Sequence, residues 1–254
     1  MGIKQELFFG NDIHVNDHIT ISQPTVGQIL FDYHTDNKEF QDGEFGYYKM
    51  LSLITATPAD YDVQLDDAGV RYEDVDPFEF FFGLVKMFHV DATATGLIFG
   101  DLDLTKFDRF RDPEHNDAVI YMNPDGVRID KALYMHITSI VRAMHNITPN
   151  TTKWENDASR QIHLDYERKR SKRKQHKNDR SILLPIISAL VNDPGFKYNR
   201  EETLNLNIYF LYDCLKQRMK YQQVDHLMTG VYVGLIDTKK MNLAEELNMI
   251  RDDM

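Results

Sequence analysis

The chain has 254 residues, of which 42% are hydrophobic and 27% charged, with 15 Phe, 13 Tyr and a formal net charge of −11. That apolar and aromatic content excludes a chain disordered throughout, because burying such side chains offsets the entropy of ordering the backbone. The acidic balance argues against a general nucleic-acid binder and against adsorption to anionic membranes. No apolar run approaches the ~20 residues needed to span a bilayer. The start Met1-Gly2-Ile3-Lys4-Gln5-Glu6 has neither the basic opening nor the apolar stretch of a signal peptide, so a cytoplasmic location is expected. The single cysteine, Cys214, can form no intramolecular disulfide.

Phe9, Ile13, Val15, Ile19 and Ile21 alternate with polar residues around two turn clusters, which predicts short strands joined by tight turns. Pro24 ends them and Thr25 can cap a short helix carrying Val26, Ile29 and Leu30. A helix is expected over Phe45–Leu53. Another starts at Thr57-Pro58-Ala59-Asp60 and stops at Gly69. Asp76-Pro77 repeats that device before Phe78 to Phe88, apolar nearly all round and therefore expected to be buried on most faces. From Gly96 the runs Leu97-Ile98-Phe99 and Val119-Ile120-Tyr121-Met122, the turn Asn123-Pro124-Asp125-Gly126 and Val127-Arg128-Ile129 predict strands and a hairpin. Asp130 can cap a helix whose apolar stripe holds Leu133, His136, Ile137, Ile140, Val141 and Met144.

Composition breaks at 146–180. Asn146 to Asn156 is rich in Asn and Thr, as linkers are. Residues 168–180 hold eight Lys or Arg and one Asp, a charge of +7, so the remainder of the −11 chain carries −18. Beyond it, Ile182 to Val191 predicts a short apolar helix with Pro185 in its first turn. A longer helix starting at Thr203 or Asn205 is expected to carry Leu206, Tyr209, Phe210, Leu215 and Met219. A separate one carries Val224, Leu227, Met228, Val231 and Tyr232 and stops near Gly234, and a last amphipathic turn covers Leu243 to Ile250. The expected architecture is α+β and mostly helical: an N-terminal α+β part (1–145) with a small antiparallel sheet, a charged linker or exposed helix (146–180) and a helical C-terminal part (181–254).

Motifs that would carry chemistry fail on spacing, and neither a catalytic site nor a metal or cofactor site is expected. Asp101, Asp103 and Asp108 resemble a calcium loop, yet Lys106 and Asp112 stand where that loop needs Gly and Glu. His14 and His18 are four apart but on an expected hairpin, where that spacing does not converge, and they read as surface histidines. His136, on an apolar face, reads as a hydrogen-bonded core histidine. Cys214 has no neighbour to lower its pKa and reads as a small hydrophobe. Phosphate-loop, dinucleotide and nucleophile-elbow patterns are absent from the sequence.

Two features point outward. The basic run offers Arg168, Lys169, Arg170, Lys172, Arg173, Lys174 and Lys177 for electrostatic contact with an acidic protein face or a nucleic acid, against the plainer reading of a solvated connector. Tyr166 lies before the run and no aromatic lies within it, which lowers the nucleic-acid version. The C-terminal helices offer Tyr209, Phe210, Tyr212, Met219, Leu227, Met228 and Tyr232, with Tyr221, as an apolar groove for a partner helix, against the reading that these residues close a core.

Several stretches carry a family resemblance: Ile19-Thr20-Ile21-Ser22-Gln23-Pro24-Thr25-Val26-Gly27-Gln28-Ile29; Tyr47 to Leu51 with Thr55-Ala56-Thr57-Pro58-Ala59-Asp60; and Leu206-Asn207-Ile208-Tyr209, Tyr212-Asp213 and Gly230 to Gly234 followed by Ile236 to Lys240. Together they resemble a protein of the tail-morphogenesis gene clusters of bacteriophages of Gram-positive hosts, described as tail assembly chaperone-like. The resemblance implies transient binding of tail tape-measure or tail-tube subunits in the cytoplasm of the infected host. The alternatives are a structural component of the tail, baseplate or virion, and a nucleic-acid-binding accessory protein acting through 168–180. Self-association is a further open partner class.

Overall fold

Side-chain caps set most of the element starts. In the computed structural model, which describes residues 2–115, 117–174, 180–236 and 238–249, the Gln5 side chain accepts from the Gly2 N–H at 3.2 Å and opens α1 (Ile3–Phe9). The alternation seen in the sequence did not anticipate this helix, which takes in Phe9. Strands β1 (Ile13–His14) and β2 (Thr20–Ile21) then pair antiparallel with Ile13 opposite Ile21. Asn16 Oδ1 accepts from the N–H groups of His18 and Ile19 and closes the turn between them. Thr25 and Gln28 exchange side-chain bonds with each other's N–H ahead of a π-helical turn, Gln28–Asp32. Helix α2 (Glu44–Ile54), a 3₁₀ turn at Pro58–Tyr61 running into α3 (Asp62–Asp67), and α4 (Pro77–Met87) capped by Asp76 all lie where their signals place them.

One expectation fails here. Leu97-Ile98-Phe99 is not a strand but the end of α5 (Ala92–Phe99), because Asp91 Oδ1 accepts from the Ala94 N–H at 3.0 Å and nucleates a helix upstream. Thr and Gly are weak helix formers, so Ala92 to Gly96 gave no helical signal. The third strand of the second sheet is instead β3 (Asp108–Asp112), paired with β4 (Ala118–Met122), which pairs in turn with β5 (Arg128–Ile129). The sequence of β3 is charged at four of its five positions, and most of the strand faces water at the sheet edge, where charge deters pairing with other chains. Its charges are met locally: Arg109 donates to Glu79, and Arg128 to the buried Asp112 at 2.6 Å.

Helix α6 (Lys131–Met144) starts at its Asp130 cap. An irregular stretch follows, held to the body where Thr57 donates to the Asn150 carbonyl and Tyr72 to that of Thr152. Next come α7 (Asp157–Lys174), α8 (Leu183–Val191), the short α9 (Arg200–Leu204) and α10 (Ile208–Tyr232). The two C-terminal helices expected around Tyr209 and Leu227 are therefore one helix of 25 residues, about 37 Å long at the standard rise. A single turn, α11 (Leu243–Glu246), lies near the end of the described chain. The protein is α+β and mostly helical, 57% helix with small antiparallel sheets in the N-terminal half.

One buried cluster runs through these elements. Phe82 stacks on Tyr121 with ring centroids 3.8 Å apart, and Phe78, Tyr134 and Phe81 pack around them. Leu183, Ile187 and Leu190 of α8 and Ile208 and Leu211 of α10 belong to the same cluster as Leu7, Tyr47 and Met144. Helix α2 lies among them. The Glu44 carboxylate, buried at its start, accepts from the N–H groups of Ile182 (2.8 Å) and Leu183 (2.6 Å) at the N-terminus of α8. Gly46 allows the close turn beneath it, since a Cβ there would meet the Gln41 carbonyl oxygen at 1.6 Å.

Glu44→Ala leaves two N–H groups of α8 without an acceptor and should cost about 2–3 kcal/mol, while Glu44→Gln, which keeps one acceptor oxygen, should cost less. Urea denaturation of the two variants beside the parent protein measures both. Equal stability of Glu44→Ala and the parent would mean the cap contributes nothing.

Candidate partner-binding surface

The expected groove residues do not line one groove; α10 distributes them around its circumference and along its length. Tyr209 and Tyr212 are half-buried against the core, and the Tyr212 hydroxyl lies 3.0 Å from that of Tyr48 on α2. Burial raises the pKa of both phenols, so the pair is neutral and one hydroxyl donates to the other. Phe210 turns the other way and meets Phe8 edge-on at 5.3 Å and Tyr198 at 6.0 Å. Leu227 and Met228 are half-buried. Met219 (60% exposed) and Tyr232 (81%) face water, as does Leu235 (83%) just beyond. Beyond the helix the chain folds back: Ile236 lies against Gly230, and Gln217 donates to the Met249 carbonyl at 2.9 Å.

Two clefts flank the first turns of α10. The larger, about 310 Å³, lies between α1, the loop after α8, and α10, with walls of Phe8, Phe196, Tyr198, Phe210 and Tyr221. Arg218 pairs with the nearly buried Asp193 at its edge. Cys214 also lines it, and burial raises its thiol to about 11, so the thiol stays protonated and behaves as a small apolar group. The smaller cleft, about 130 Å³, is bounded by Lys4, Arg142, Lys216, Tyr209, Tyr212 and Asp213. Asp213 borders both.

The basic run is divided by helix periodicity. Helix α7 turns Arg160, Leu164 and Arg168 toward α3, one every four residues. Arg160 grips the buried Asp62 with Nε at 3.0 Å and Nη2 at 2.6 Å, and Trp154 Nε1 donates to the same carboxylate. Arg168 donates to Asp66 and Asp67, each at 2.7 Å, and its guanidinium holds the Asp66 carboxyl below the usual carboxylate range. Arg168 is thus an internal tie, which its place in a charge run concealed. Lys169 and Arg170 are exposed, with Arg170 paired to Glu167. Lys172, Arg173 and Lys174 continue the helix, and Lys177 lies outside the described residues.

The histidine expectation is corrected. His136 is exposed, on the side of α6 away from buried Tyr134, Ile137 and Val141. The core histidine is His145, one residue past the end of α6. Its Nδ1–H donates to the Val141 carbonyl at 2.8 Å, so Nε2 accepts from the Tyr47 hydroxyl at 2.5 Å. Nothing in the spacing distinguished it, since the Met144-His145-Asn146 end of the stripe reads equally well as solvent-facing. His14 and His18 are exposed. Asp103 caps the turn at Thr105 and Asp108 pairs with Lys86, while Asp101 is exposed.

Comparison with protein-family models, with curated proteins and with solved structures finds no match for this chain.

Arg160→Ala would strand the Asp62 carboxylate in the interior and should destabilise by about 3–5 kcal/mol. Lys169→Ala, one helical turn beyond Tyr166 and in water, should stay within about 0.5 kcal/mol of the parent. Chemical denaturation of both separates the internal face of α7 from its solvent face.

Burial lowers the His145 pKa from 6.5 to about 4. The unfolded chain therefore takes up this proton first, and the histidine's contribution is intact above pH 6.5 and lost as pH falls toward 4. Linkage puts the loss at about 2 kcal/mol by pH 5. His145→Gln, which keeps an acceptor for Tyr47, should flatten the fall in urea midpoint between pH 7 and pH 5. A fall as steep as the parent's would assign the pH dependence to other groups.

Proposed function

We propose that this protein is a non-enzymatic binding protein for other proteins, a phage tail assembly chaperone-like factor that holds tape-measure or tail-tube subunits during morphogenesis in the cytoplasm of the infected bacterium. The reading is supported first by the strand, cap and helix-end motifs that resemble that family. The observation that carries it is the outer half of α10 and the turn just beyond it, where Met219, Tyr221 and Tyr232, then Val233 and Leu235, present apolar surface to water. Exposed aromatic and methionine side chains grouped on one element are typical of protein-contact surfaces. Among the described residues no helix is long and apolar enough to cross a membrane.

The chaperone reading predicts that the protein keeps a co-expressed tape-measure or tube protein soluble and is absent from purified particles by mass spectrometry. A fixed copy number in the particle would instead make it a structural component. Tyr232→Ala with Leu235→Ala should leave the unfolding midpoint within about 0.5 kcal/mol of the parent, since both side chains are in water. The same double variant should abolish co-purification of the tail protein. Tyr212, bonded to Tyr48, is the contrasting site, where Ala should lower stability.

A further inference from the structure

We infer that the two clefts flanking the first turns of α10 form one recognition site for an acidic protein segment: a bulky apolar or aromatic side chain enters the larger, and a neighbouring carboxylate sits at the smaller. The inference rests on the protein-binding reading above and names the chemistry of the bound segment.

The clefts differ in character and adjoin. The larger, at about 310 Å³, has five aromatic side chains in its walls. Phe8 meets Phe210 nearly perpendicular, and Tyr198 meets Phe210 likewise, so the rings form walls rather than a closed stack. At this cleft Arg218 pairs with Asp193, which balances their two charges. Such a space takes an apolar side chain and offers little to a charged one. The smaller cleft, about 130 Å³, carries Lys4, Arg142 and Lys216 against the single carboxylate of Asp213. That local excess of positive charge occurs in a chain whose net charge is −11. Arg142 directs Nε and Nη2 to the Thr55 carbonyl, a neutral acceptor. Lys216 has no hydrogen bond or ion pair among the described residues. An opposite charge brought to this spot gains from Lys216 and from the Arg142 guanidinium, both half-buried. Asp213 borders both clefts, which places the apolar anchor and the carboxylate within a few residues of each other on the bound segment.

The test uses the full chain with a fluorescein-labelled pentapeptide Glu-Glu-Trp-Leu-Glu and its counterpart Lys-Lys-Trp-Leu-Lys, read by anisotropy. The acidic peptide should bind at least tenfold more tightly than the basic one. Lys216→Glu should weaken it at least tenfold and strengthen the basic peptide, with the thermal midpoint unchanged. Phe196→Ala should weaken both peptides. Cys214, the one cysteine, reports the larger cleft directly, and its reaction with a thiol reagent should slow when the acidic peptide is saturating. Equal binding of the two peptides, or indifference to Lys216→Glu, would overturn the inference. So would full competition by millimolar inorganic phosphate, or tighter binding of an oligothymidylate lost in Lys216→Glu, either of which would assign the smaller cleft to phosphate. If the parent and Lys216→Glu capture a tail protein equally, this site falls and the proposed function stands. If neither captures one while the peptides behave as expected, the site stands and the proposed function falls.

Discussion

A carboxylate buried at the start of α2 organises this fold. Placing Glu44 out of water is unfavourable unless its charge is met, and the two free N–H groups at the N-terminus of α8, the positive end of that helix's dipole, meet it. Helix α2 is tied to α10 by Tyr48 and Tyr212 and to the end of α6 by Tyr47 and His145, and the Thr55 carbonyl just past its own end accepts from Arg142 of α6. Apolar burial supplies the cohesion, but it is non-directional and would tolerate α8 or α10 sliding along α2. The buried polar bonds are directional and each is satisfied in only one register. Helices from near residue 140, 185 and 210 therefore assemble around an element begun at residue 44.

Charge follows a comparable division of labour at α7. A run of like charges is ordinarily a solvated face, yet here helix periodicity sends every fourth residue inward. Arg160 and Arg168 neutralise the carboxylates of α3, so the cations most deeply engaged have no freedom to meet a partner. Lys169, Arg170 and Arg180 of the same run are exposed.

The legible parts of the fold were those written in short-range chemistry. Asp76-Pro77, Asp130 and Thr57-Pro58 each cap within three residues of themselves, and the Asn-Pro-Asp-Gly turn dictates its own hairpin. What escaped was decided at longer range or by weaker local signals. β3 is charged at four of five positions, so no apolar alternation marks it; its pairing with β4 and the partners Glu79 and Arg128 make it a strand. α5 is helical through one capping aspartate, against the preferences of its Thr and Gly. The candidate surface was half legible. Tyr209 to Tyr232 were recognised as an unusual density of aromatic and Met residues, but reading them as two helices hid that a single axis carries them to different sides. The aromatic cleft was invisible in outline, because Phe8 and Phe196 come from segments about 190 residues apart in sequence.

Helix α10 draws these threads together. Its inner half is held by Ile208, Leu211 and the Tyr48 bond. Past Met219 the described chain buries only Val224 completely on this helix, and no apolar stripe justifies the remaining turns as core. Those outer turns alone, from Lys220 to Tyr232, would be a marginal helix in water. It persists because it continues a turn already nucleated and anchored at Asn207, whose side chain accepts from the Phe210 N–H, and because the returning chain braces it at Gly230 and Gln217. The fold thus sustains apolar surface that its own stability does not require, on an element whose backbone is already ordered. A partner meeting that surface loses little further conformational entropy on this side of the interface, so more of the contact energy appears as affinity.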